Sequence, residues 1–128
     1  MASASQILKA LPPLGHAAPD TVTIGPVTIA ENVGTALASL ATRRGREADV
    51  AAAAQGAGIP QPGPGRAEQA ALYGAIWLGP EQWMIEAPFA THEDIVAILK
   101  PIFGEAASIT EQTDAWVRFD LSAPDLPA

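Results

Sequence analysis

Apolar residues in this chain recur mostly in short runs of period two, with one clear stripe of helical period. Val22-Thr23-Ile24 and Val27-Thr28-Ile29 are β-branched runs split by Gly25-Pro26, which predicts two strands and a turn. Residues 37–42 suit a strand and equally the first turns of a helix, because alanines blur the period. Residues 45–57 predict a helix: Arg46, Glu47, Ala48 and the alanines at 51–54 favour it, and Gly56, Gly58 and Pro60 stop it. The Pro/Gly stretch at 58–65 then reads as a surface connector with no packing capacity. Residues 72–78 and 82–87 predict a hairpin whose tip holds Pro80, with Trp77 and Trp83 on either side. Thr91-His92-Glu93-Asp94 is a helix start, with Thr91 as cap and Asp94 favouring the positive helix end. Ile95, Ile98, Leu99 and Ile102 form one apolar stripe, which Pro101 is expected to end or kink near Leu99. Residues 108–111 suit a short strand. Residues 115–121 alternate, with Ala115, Val117, Phe119 and Leu121 on one face and Trp116, Arg118 and Asp120 on the other.

From residue 36 the order is β-α-β-β-α-β with a trailing strand. That predicts an α+β fold, a ferredoxin-like βαββαβ antiparallel sheet with helices on one face. Residues 1–21 are small, Pro-broken and carry only Ile7, Leu8, Leu11 and Leu14 as large apolar groups, so they read as a flexible N-terminal arm. Residues 22–128 form the α+β domain. Ser122-Ala123-Pro124-Asp125 is a further helix start with only Leu126, Pro127 and Ala128 behind it. A start without a helix leads to the expectation that the domain is incomplete at its C-terminus.

Composition narrows the core and the partners. The chain has 128 residues, of which 27 are alanine, so the apolar fraction of 48% overstates the core and a few large side chains must carry it. A core this lean points weakly towards a partner surface. The net charge of −7 repels phosphate backbones and anionic bilayers, which argues against nucleic acid and membrane partners. Cysteine is absent, which removes disulfides, thiol catalysis and thiolate metal sites. No secretory signal pattern and no run of ~20 apolar residues is present, so a cytoplasmic protein is expected.

The chemistry-bearing residues are sparse. His16 and His92 lack partners at metal spacing, and His92 reads as a solvated first-turn residue. Glu111, Asp114 and Asp120 are carboxylates that nothing in the sequence makes converge. Neither a Walker nor a dinucleotide glycine pattern occurs. Catalytic, cofactor-binding and metal residues are therefore set at none. The candidates for a partner interface are Arg43, Arg44 and Arg46, three of the seven basic residues, with Trp77, Trp83, Trp116 and Arg118. Trp77 and Trp83 suit core packing better than an interface, and Trp116 leads the interface set.

Three segments together resemble the γ subunit of heterotetrameric sarcosine oxidase: residues 36–47, Trp77-Leu78-Gly79-Pro80-Glu81-Gln82-Trp83, and residues 112–122. The resemblance spans most of residues 30–128. It implies a noncatalytic subunit related in fold to the folate-binding domains of glycine-cleavage T-proteins, here a truncated two-half folate-binding-type fold. It implies α, β and δ subunits as partners. FAD, FMN, NAD, tetrahydrofolate and zinc would then lie in those other subunits and none on this chain. The flavin-bearing subunits of such a complex oxidise sarcosine to glycine and a one-carbon unit. The family commonly has Gly where this chain has Ala123, and continues well past this point. The alternatives are an independent folate-dependent one-carbon transferase domain and a subunit of a related N-methyl amino acid dehydrogenase.

Overall fold

A computed structural model describes residues 9–124. In chain order the elements are β1 (Thr21–Ile24), β2 (Val27–Asn32), β3 (Thr35–Thr42), α1 (Glu47–Ala57), β4 (Ala67–Gln69), β5 (Gly74–Gly79) and β6 (Gln82–Pro88). They continue with α2 (Phe89–His92), α3 (Ile95–Phe103), a 3-10 turn (Gly104–Ala106), β7 (Ala107–Glu111) and β8 (Arg118–Ser122). The fold is mixed α+β with two antiparallel sheets, β1-β2-β8 and β4-β5-β6-β3-β7. The chain divides into two units, one of Gly34–Trp116 and one made of the segments on either side of it. The C-terminal helix start expected at Ser122–Asp125 runs into residues outside the described ones, as do Ile7 and Leu8 of the arm.

In the larger unit, residues 37–42 resolve as strand because β3 is bonded along both edges, to β6 and to β7. Period two then sends Ala36, Ala38 and Leu40 to one face, where they meet Trp83, Ile85 and Ile109. Val50 and Ala54 of α1 and Ile95, Leu99 and Phe103 of α3 close the same core. Alanine dominates the β3 face, so α3 approaches the strands closely and the large groups come from elsewhere.

Helix α1 ends as expected. Gly58 takes a left-handed φ of 72° and its N–H bonds back to Ala54 and Gln55. The following connector does pack, contrary to expectation. Ile59 is buried, Pro62 is buried, and the Pro62 carbonyl accepts the Trp83 indole N–H at 2.9 Å. One isoleucine and one carbonyl suffice to bind the loop to the core. The connector also leads into β4, an edge strand the alternation did not reveal because all three of its residues are exposed.

The hairpin forms as read, with Trp77 opposite Trp83 and a register irregularity between Trp77 and Gly79. Its turn places Glu81 at a φ of 57°, a conformation that residues other than glycine and asparagine rarely adopt. The Glu81 carbonyl accepts the Thr42 N–H at 3.0 Å, which holds the turn in place.

Three expectations about the second helical region are corrected. Asp94, not Thr91, caps α3, accepting the Ala97 N–H at 3.3 Å. Thr91 instead turns its hydroxyl to His92 Nδ1 at 2.8 Å. His92 is not solvated: α2 lies against β6 and β3, and the ring is buried with Nε2 3.0 Å from the Tyr73 hydroxyl. Pro101 does not end α3, which runs on to Phe103. Its missing N–H costs one bond to Ala97, while Leu99 and Phe103 on either side are buried and hold the last turn. The final alternation is shorter than expected too. A turn closed by the Ala115 N–H on the Gln112 carbonyl occupies residues 112–115, so β8 starts only at Arg118.

Replacing Glu81 by glycine relieves the left-handed strain and is expected to stabilise the chain by about 0.5–1 kcal/mol, read as a raised urea midpoint with an unchanged slope. Tyr73 supplies a pH test. Burial pushes its phenol above the ordinary value of 10.0, so the fold favours the neutral form. The unfolded chain ionises first, and this contribution is complete below pH 10 and falls as pH rises through the folded value. Because Tyr73 is the one tyrosine, Tyr73→Phe is expected to flatten the alkaline limb of a stability-against-pH curve, while lowering stability at pH 7 through the lost His92 bond.

Candidate partner interface

Strands β1, β2 and β8 form a sheet with two unlike faces. The register sets Val22, Ile29 and Leu121 in one row, Ile24 beside Val27, and Glu31 opposite Phe119. These share one face by period two. Thr21, Thr23, Thr28, Ala30, Asn32, Arg118, Asp120 and Ser122 take the other. The first face is apolar and open: Val22 is 46% exposed, Ile24 64%, Phe119 41% and Leu121 55%. Contiguous exposed apolar residues of this size on one sheet face mark an interaction surface more often than a free one.

One end of the apolar face is covered. Glu31 is buried, and its carboxylate accepts the N–H groups of Leu14 (3.1 Å) and Asp20 (2.9 Å). The Glu31 N–H donates in turn to the Asp20 carbonyl at 2.9 Å. Residues 14–20 of the arm are therefore tied to β2 at both ends of that stretch. Charge-assisted bonds from backbone amides suit a carboxylate withdrawn from water. Sequence reading passed over Glu31, although an acidic residue in the apolar phase of the Val27-Thr28-Ile29 alternation was the available signal.

The polar face is clipped across strands. Asp120 accepts the Asn32 side-chain amide at 2.8 Å and the Arg118 guanidinium at 2.9 Å. Partial burial pulls the Asp120 carboxyl upward, and the Asn32 amide and Arg118 charge outweigh it, so its pKa lies below the ordinary range.

The residues singled out from sequence scatter. Arg43 and Arg44 are exposed between β3 and α1, whereas Arg46 is tied to Asp49 at 2.6 Å. Trp83 is buried and bonded to Pro62, and Trp77 packs half-buried against the core, so both serve the interior. Trp116 is 56% exposed. Arg118 is half-buried on the polar face with Asp120. The open apolar face of β8 is thus the one bearing Phe119 and Leu121, opposite the face that carries Arg118. Of the carboxylates, Glu111 turns onto Thr113 and Asp120 onto Asn32 and Arg118, while Asp114 is exposed. His16 lies 3.5 Å from Asp20 in an exposed pair.

Comparison with models of known protein families and with curated proteins finds no match to this chain. Among the described residues no helix is long and apolar enough to cross a membrane.

The Asp120 clip has a pH signature. A folded pKa below the unfolded one contributes stability above the unfolded value, near 3.9, that disappears as pH falls through the folded value. Asp120→Asn is expected to shrink acid-side destabilisation between about pH 4 and the folded pKa. Amide exchange in β2 and β8 reads it.

Proposed function

We propose that the chain is a noncatalytic docking subunit, an α+β protein that attaches to larger partners through the apolar face of β1, β2 and β8. More particularly, it is a subunit of the kind found as γ in heterotetrameric sarcosine oxidase. The carrying observation is the row of Val22, Ile24, Phe119 and Leu121 left open on one sheet face. The three sequence segments that resemble the γ subunit support the particular family. The strand order β5-β6-β3-β7, antiparallel throughout, supports a ferredoxin-like βαββαβ core, since a helical segment follows the first and third of its strands.

In this role the chain contributes placement. Flavins in the partner subunits carry out the oxidation of the N-methyl amine, and a docked neighbour holds those subunits in register. Apolar anchors such as Phe119 and Leu121 supply the affinity. Each large side chain removed from water on docking is worth about 1.5–3 kcal/mol, so two of them decide between assembled and dissociated states.

The test is reconstitution with sarcosine oxidase α, β and δ subunits, with and without this chain. Co-purification of the chain and dependence of sarcosine turnover on it are expected. Phe119→Ser and Leu121→Lys are expected to weaken co-purification at least about tenfold while leaving the urea midpoint of the isolated chain within error, since both side chains are exposed. Equal assembly and turnover without the chain would overturn the proposal.

A further inference from the structure

Strand β7 is an edge strand, bonded on one side to β3. The Arg43 N–H donates to the Ala106 carbonyl at 2.8 Å, and the Gln112 N–H donates to the Leu37 carbonyl at 2.9 Å. Bonded pairs alternate in an antiparallel ladder. Ala106, Ser108, Thr110 and Gln112 therefore turn their backbone groups to β3. Ala107, Ile109 and Glu111 turn their N–H and C=O groups outward along the open edge. Natural edges are blunted by brevity, proline or a bulge. The opposite edge of the sheet, β4, has three residues and follows Gly63-Pro64-Gly65. Strand β7 has five residues, no proline and an unbroken register.

The two ends of β7 carry opposite charge. A recess of about 330 Å³ at its start is lined by Arg43, Lys100, Gly104, Ala107, Ser108 and Ile109. Arg43 and Lys100 are two of only seven basic residues in an acidic chain. Glu105, in the turn just before β7, offsets them in part. At the far end stands Glu111, exposed, in phase with Ala107 and Ile109. That phase is the core face, the side on which α3 and Lys100 lie.

We infer that β7 is a self-pairing edge, whose partner is β7 of a second copy, antiparallel, with the twofold axis at Ile109. This goes beyond the docking reading above and rests on a different surface. The register follows from the outward groups. Ile109 pairs with Ile109 of the second copy, and Ala107 pairs with Glu111 of the second copy. Antiparallel pairing brings each Glu111 to the end that holds the other copy's Arg43 and Lys100. A parallel arrangement would instead put like ends together. Helix spacing agrees: α3 packs on β7 and β3, so two strand spacings of about 4.8 Å set the two α3 helices about 10 Å apart, a normal packing distance.

The register sets Ser108 opposite Thr110 of the second copy in a non-bonded pair, with Cα atoms about 4.5 Å apart, within disulfide reach. The chain has no cysteine of its own. Sedimentation of the full chain is expected to show a monomer–dimer equilibrium. Ser108→Cys and Thr110→Cys chains, mixed and oxidised, are expected to give a mixed disulfide dimer that neither gives alone. Glu111→Lys is expected to raise the dimer Kd about tenfold, and Lys100→Glu added to it to restore the affinity. A chain that stays monomeric up to about 200 µM overturns the inference, as does a dimer without that selective cross-link. The second result would point to pairing through another face.

Discussion

The hydrogen-bonded position of β3 between β6 and β7 is the constraint on which the larger unit rests. It converts an ambiguous alanine-rich segment into a strand and fixes which of its side chains face the helices. Leu40 lies at the crossing point, opposite Trp83 on one neighbour and Ile109 on the other, and is 2% exposed. Ala36 and Ala38 leave room for the helices to come close. Leu40, Val50, Ile85, Ile95 and Leu99 then fill the volume, each worth about 1.5–3 kcal/mol when fully buried. A core built from so few large groups tolerates little loss.

Three sets of polar groups hold segments of this protein together. The Thr91-His92-Tyr73 chain fastens α2 to the residue before β5. The Glu31 carboxylate fastens the arm to β2, and the Trp83 indole fastens the proline loop to the hairpin. In each case a burial penalty is offset by bonds that draw sequence-distant backbone into one place. The apolar face of the small sheet and the edge of β7 differ chemically: one presents apolar side chains, the other backbone N–H and C=O groups.

Much of this arrangement was legible from local pattern. The hairpin around Pro80, the β1–β2 turn at Gly25 and the stripe of α3 follow from residue type and spacing, because turns and amphipathic periods depend on neighbours in sequence. Legibility failed where a distant contact decided the outcome. Pro101 reads as an end or a kink, yet α3 runs past it to Phe103, and Leu99 and Phe103 hold the turn against the core. His92 reads as exposed until Tyr73, nineteen positions away, meets it. Alternation over residues 115–121 separated the two faces of β8 correctly from Arg118 onwards. It did not reveal that the apolar face stays open, because that depends on what the rest of the fold packs over it.

By itself the sequence determined the acidic charge, the absence of thiol chemistry, the lean core and the hairpin around Pro80. These are properties of residues and of their near neighbours. Only the tertiary structure decided that residues 37–42 are strand, that Glu31 is an internal anchor, and that Phe119 and Leu121 lie open while Trp83 is buried. Burial is a relation between segments remote along the chain, and the free energy of placing a group in or out of water is set by what the fold brings against it.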